Sequence, residues 1–165
     1  MNINGHWERI RKVFREAFRS SLHYAVATVN EDGAPHITPI GSIVLQDENR
    51  GFYCEEYPQT LPSNLKVNQR VCILAVNSSK WYWIKSLFLG KFVSPPGVRL
   101  MGRAGERRKA TDKEMDAWLR RVRPLRWFKG YDLLWANMNY IREITFDAFE
   151  PIQVGKMTKD LWFGI

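Results

Sequence analysis

Acid–base, nucleophilic or metal chemistry in this 165-residue chain would have to draw on three histidines, two cysteines and adjacent carboxylates such as Asp47-Glu48 and Glu55-Glu56. His6, His23 and His36 show no metal-ligand spacing and have no cysteine pair or carboxylate cluster beside them, so the pattern gives no zinc or di-iron site. His36 lies in a strand-like run where it could touch a cofactor, or simply face solvent after a turn. Asp47 and Glu48 fall in a polar turn and read as solvated, whereas Glu55 and Glu56 end an apolar run and could orient a substrate or serve structure. Cys54 and Cys72 sit in apolar runs without a CxxC pairing, which reads as buried thiols in a reducing compartment. There is no GxSxG elbow, phosphate loop or GxGxxG motif, so serine hydrolase, P-loop and Rossmann chemistry have no support.

Charge and aromatics offer a second kind of chemistry. The net charge is +8, and Arg99 to Lys129 holds eleven Lys or Arg against four acids. That block suits nucleic acid, an anionic membrane or a phosphorylated cofactor, or it is a solvated basic face. Seven tryptophans suggest a pocket, a subunit interface or simply core.

The elements that must position these groups follow from periodicity. Trp7, Ile10, Val13, Phe14, Ala17 and Phe18 recur at helical spacing among charged residues, predicting an amphipathic helix. Leu22–Val29 reads as a strand, Asp32-Gly33 as a tight turn and Ile37–Leu45 as the return strand, with Pro39 marking an edge or bulge. Phe52–Glu55 and Val71–Val76 read as further strands around a short helix at Leu61–Val67. Residues 78–97 form a long aromatic insertion. Val98–Ala104 and Tyr140–Phe149 resume strand character. Thr111 and Glu114 have the spacing of a capping box, predicting a helix from Asp112 to about Val122 that ends before Pro124. With no repeat or linker, residues 1–165 are expected to form a single domain: an antiparallel, mainly β architecture with flanking helices (α+β). No signal peptide or membrane-spanning stretch is read, so a cytoplasmic location is expected.

The segment YAVATVNEDGAPHITPI (Tyr24–Ile40), then GFYC (Gly51–Cys54), NLKVNQRV (Asn64–Val71) and VRLMGRA (Val98–Ala104), resembles in order and spacing the pyridoxamine 5′-phosphate oxidase-like, FMN-binding split-barrel superfamily. The resemblance implies a six-stranded split β-barrel and a homodimer with FMN in clefts between subunits. It places the flavin ring against Thr38, Pro39, Ile40 and Ser42. Tyr53 and Cys54 would contact the ribityl chain and phosphate, and Gln59, Thr60, Ser63 and Lys66 would grip the phosphate. A helix N-terminus suits that task, because its free amides and dipole favour an anion. Many members carry an Arg-Lys pair or a Lys where this chain has Thr60-Leu61, and an Arg where it has Thr38. The C-terminal segment also lacks the Arg-rich ending with which pyridoxamine phosphate is held.

Three functions are consistent with these residues. The first is an FMN-dependent oxidoreductase acting on a small-molecule substrate or electron acceptor. The second is a non-catalytic protein using the same cleft for flavin, haem or another flat anionic ligand, which the missing phosphate cations favour. The third is a nucleic-acid or membrane-surface module using the basic block, the least supported of the three. The aromatic insertion would either cover the cofactor cleft or widen the dimer interface.

Overall fold

The computed structural model describes residues 2–135, 137–159, 161 and 162. Its first element is α1 (Ile3–Ser21), capped by the Asn2 side chain, with Trp7, Ile10, Val13, Phe14, Ala17 and Phe18 buried along one face as the spacing predicts. Then come β1 (Tyr24–Val29), β2 (Pro35–Ile40), β3 (Val44–Leu45), β4 (Arg50–Cys54), α2 (Thr60–Val67), β5 (Arg70–Val76), α3 (Lys80–Leu89), β6 (Gly97–Lys109), α4 (Asp112–Val122), α5 (Gly130–Leu134) and β7 (Tyr140–Pro151).

All strand pairs are antiparallel, in one seven-stranded sheet ordered β2-β1-β5-β6-β7-β4-β3. The two edge strands, β2 and β3, are consecutive in the chain. The link from Ile40 to Val44 spans at most about 14 Å, whereas seven strands laid flat would set the edges roughly 29 Å apart. The sheet must therefore curl until its edges come within that reach, giving a barrel split between β2 and β3. The sheet has seven strands where six were expected, because the return strand predicted over Ile37–Leu45 breaks at Gly41–Ile43. A Cβ at Gly41 would lie 2.8 Å from the Leu22 carbonyl oxygen, so the chain can turn there only without a side chain. Pro39 sits on an edge strand, where its missing N–H costs no ladder bond.

Local signals are met closely. Gly33 takes a φ of 85°, and Asn30 N–H donates to Ala34 O at 2.8 Å, closing the β1–β2 hairpin. Thr111 and Glu114 form the reciprocal capping box, and α4 runs from Asp112 to Val122. The aromatic insertion is a finding of the structure: residues 80–89 are helical, despite being rich in residues that favour strands. Ser79 caps α3, Gly90 ends it at a φ of 65°, and Trp83 donates its indole N–H to Asn77 O at 2.6 Å. Only Tyr82, Trp83 and Ser86 turn inward, leaving Trp81, Leu87 and Phe88 exposed.

The core lies between α1 and the inward faces of the strands, where Ile73, Leu100, Ile141 and Ile144 are fully buried. The long β6–β7 ladder is its backbone, with irregularities after Met101 and after Ala104. Gly102 is required at the first, since a Cβ there would fall 2.3 Å from Thr145 O. Among the described residues no helix is long and apolar enough to cross a membrane.

Candidate functional site

The Gly41–Ile43 link carries the end of β2 past the end of β4, and there four of the sequence-predicted residues converge. Pro39, Ile40, Ser42 and Cys54 line one cleft of about 160 Å³. Ser42 fixes the approach: its hydroxyl accepts from Cys54 N–H at 3.0 Å and donates to Cys54 O at 3.3 Å, standing in for a strand partner. Burial pushes the Cys54 thiol up to about 12, an effect that the Ser42 hydroxyl only partly offsets, so this wall is neutral and apolar. Thr38, half-buried one turn of the pleat earlier, lies 3.4 Å from His36 Nδ1 through its hydroxyl.

The other walls come from residues that the sequence reading did not select: Tyr57, Pro58, Trp118, Leu134, Trp135 and Met138. Tyr57 holds the α5 segment over the cleft by donating its hydroxyl to Leu133 O at 3.0 Å and Leu134 O at 3.2 Å. Trp118 stacks edge-on to Trp135 with centroids 6.2 Å apart. Its indole N–H is buried and has no acceptor among the described residues. The excess of tryptophan was the one available signal, but nothing in the sequence joins residues 118 and 135 to residues 39–54. No residue of α3 lines this cleft.

Tyr53 does not reach the cleft. It is fully buried, and its hydroxyl donates to Glu55. Burial first, and then the Glu55 carboxylate, raise its pKa well above the ordinary tyrosine value. Glu55 is itself buried and is gripped by Arg142 through Nε at 2.6 Å and Nη2 at 2.8 Å. Of the two candidate carboxylates, Glu55 is therefore structural and Glu56 is exposed.

Thr60 opens α2, two residues beyond Pro58, and so lies within about 7 Å of the cleft wall along the chain. Gln59 and Thr60 are exposed, and no side chain caps the first turn, so its amides are available to an anion. Ser63 spends its hydroxyl on Gln59 O at 3.3 Å. Lys66 is exposed in the last turn of α2, about 9 Å along the axis from Thr60. Leu61, in the place where a cation was sought, is fully buried.

Part of the basic block is engaged in ion pairs. Arg99 pairs with Glu150 at 3.3 Å, and Arg108 with Glu114 at 2.7 Å and Glu143 at 3.1 Å. Among the described residues no group of three or more His, Cys, Asp or Glu could hold a metal ion.

Comparison with known proteins bears on the fold and the family. An FMN-binding protein from Syntrophomonas wolfei is similar in structure, with a TM-score of 0.61 at 11% identity over 91% of this chain and 90% of that one. HupZ of Group A Streptococcus gives 0.57 at 18% identity over 90% and 94%. HutZ, the haem storage protein of Vibrio cholerae, gives 0.50 at 14% identity over 92% and 95%. At these identities the likeness shows a shared fold. No curated protein sequence matches the chain significantly. The sequence profile of the family described as pyridoxamine 5′-phosphate oxidase matches residues 10–145, and the chain belongs to that family.

Proposed function

We propose that the chain binds FMN in the cleft beside β2 and β4 and acts as an FMN-dependent oxidoreductase on a small-molecule substrate or electron acceptor. The observation that carries this reading is the convergence of Pro39, Ile40, Ser42 and Cys54 on one apolar cleft beside the uncapped start of α2. The residues fit the ring end of FMN: the walls are apolar, and the buried Trp118 N–H lacks the acceptor that a flavin heteroatom would supply. In this reading Thr38, Pro39, Ile40 and Ser42 face the ring, and Cys54 closes the wall behind it. Thr60 and the first amides of α2 take the phosphate, Ser63 joins them by turning its hydroxyl from Gln59 O, and Lys66 adds attraction at longer range. Tyr53 acts from behind, by fixing β4 through Glu55. FMN when bound supplies the redox chemistry, and the chain orients the ring and excludes water from one face.

A cleft of about 160 Å³ is small beside the roughly 300–1,000 Å³ of complete ligand sites. A partner subunit would supply the missing wall, and the sheet offers a surface for it. Ala25, Ala27, Cys72, Leu74 and Val76 form a half-buried apolar strip on the outer face of β1 and β5, and Ile37 beside them is 66% exposed. The family expectation of a homodimer is part of this proposal, as is a cytoplasmic setting that keeps both thiols reduced. A second reading, a non-catalytic haem binder, is favoured by the buried Leu61 and by Thr60, which leave no cation at the start of α2.

Absorbance of the purified protein separates flavin from haem. Titration with FMN and riboflavin then tests the phosphate end. Lys66→Glu is expected to weaken FMN at least tenfold, about 1.4 kcal/mol, and to leave riboflavin unchanged. Equal losses for both ligands would place the phosphate elsewhere.

A further inference from the structure

A second cleft, of about 590 Å³, lies between α1 and α4. Its floor includes Phe14 and Phe18 of α1, with Leu22, the residue that ends the helix, four positions further along. A parallel stripe on the same helix, Arg11, Arg15 and Arg19, forms one rim, and Arg120 and Arg121 of α4 form the other. No carboxylate lines the cleft.

At one end Arg11 is neutralised by Glu8 at 2.9 Å and Asp47 at 2.7 Å. Arg15, Arg19, Arg120 and Arg121 have no carboxylate partner among the described residues. Arg15 and Arg19 are like charges one helical turn apart, an arrangement that destabilises a bare helix. Arg121 is held in place, with its guanidinium 3.8 Å from the centre of the Phe18 ring and its N–H groups donating to Ile43 O and the Tyr24 hydroxyl. These partners are neutral, so the charge itself is left uncompensated at a partly buried place. A buried cation is normally met by an anion. Leu22 at the mouth takes a φ of 62°, in the left-handed region that a leucine rarely adopts, and its side chain is half exposed there.

We propose that this cleft binds an amphipathic anion, an apolar body carrying a carboxylate or phosphate head that lies between Arg15, Arg19, Arg120 and Arg121. The size agrees, since organic ligand sites run from roughly 300 to 1,000 Å³. The planar guanidinium forks suit either head, each offering two parallel donors to two oxygens. The site is separate from the proposed flavin cleft and shares no lining residue with it.

The test is calorimetric titration of the intact protein with decanoate and decyl phosphate below their micellar concentrations. Neutral decyl maltoside and inorganic phosphate are titrated in parallel, and circular dichroism confirms that the fold persists. One equivalent of anionic amphiphile is expected to bind, at least tenfold more tightly than the neutral amphiphile or phosphate alone. The tighter of the two anions names the head group. Arg15→Glu and Arg19→Glu, both on the outer face of α1, should each cost at least tenfold. Equal binding of the neutral amphiphile would overturn the proposal, as would unchanged affinity in both variants. Affinity for FMN should be unaltered by either substitution, which separates this site from the flavin cleft.

Discussion

Replacing Arg142 by Met would strand the Glu55 carboxylate in the core, and the cost can be worked from the structure. The side chains of Arg142 and Glu55 are 7% and 2% exposed, so neither is rescued by water. The change removes Nε–Oε2 at 2.6 Å and Nη2–Oε1 at 2.8 Å, together with Nη1 to Gly105 O at 2.7 Å. Charged hydrogen bonds contribute roughly 1.5–3 kcal/mol each, but Gly105 is exposed and its carbonyl regains water. Arg107, whose Nε lies 3.9 Å from Glu55, softens the remaining loss. A net cost of about 3–4 kcal/mol results, in line with the roughly 3–5 kcal/mol of broken buried pairs. Removing both charges, as in Glu55→Leu with Arg142→Met, abolishes the stranded anion and leaves only the Tyr53 hydroxyl without its acceptor, about 1–3 kcal/mol. Equilibrium urea unfolding of the two single variants and the double completes the cycle. The double variant should be more stable than the sum of the single costs predicts, by about 2 kcal/mol or more. An Arg142→Met protein within about 1 kcal/mol of the parent, or strictly additive losses, would refute the reasoning.

Two further outcomes follow from the ionisable groups. Arg108 beside Glu114, helped by the Thr111 amide and hydroxyl, holds that carboxyl down to about 2 against its ordinary 4.5. Its contribution to stability is therefore complete above about pH 5 and is lost as pH falls through 4.5 towards 2. Glu114→Gln should lower the urea midpoint at neutral pH and flatten its decline in acid; an unchanged acid limb would contradict this. The Cys54 thiol, buried and raised to about 12, should resist maleimide at pH 8 until the protein unfolds. Mass mapping that found Cys54 modified in the folded protein would mean that the β4 wall opens.

What was legible in the sequence was local. The Asp32-Gly33 turn and the Thr111–Glu114 capping box each need only a few neighbouring residues, and both elements fall where those residues put them. The helical nature of residues 80–89 was not legible, because Trp, Tyr, Phe and Ile favour strands and only Ser79 and Gly90 at its ends argue otherwise. The family motifs located the β2 and β4 walls of the cleft. They could not supply Trp118 or Trp135, whose place depends on how α4 and α5 fold back. Glu55 and Glu56 look equivalent in sequence; only the pleat, which turns one towards Arg142 and the other to water, tells them apart. The arginine stripe of α1 reads as an ordinary solvated face until α4 is packed opposite it.

The strand order also dictates when the proposed flavin cleft can come into being as the chain is synthesised. β2, β1, β5 and β6 join one another in turn, and all are complete by Lys109. The β3–β4 hairpin, which carries Cys54, has no partner among them: its only outer neighbour is β7, with Arg50 opposite Thr145. It must therefore wait, tethered and unpaired, while residues 110–151 are made, roughly 2–8 s at about 5–20 residues per second. During that interval Ser42 and Cys54 can meet only within the isolated hairpin, and nothing yet ties the β4 wall to the rest of the sheet. A nascent chain stalled before Tyr140 would already own most of its barrel and yet hold the β4 wall of the proposed cleft undocked.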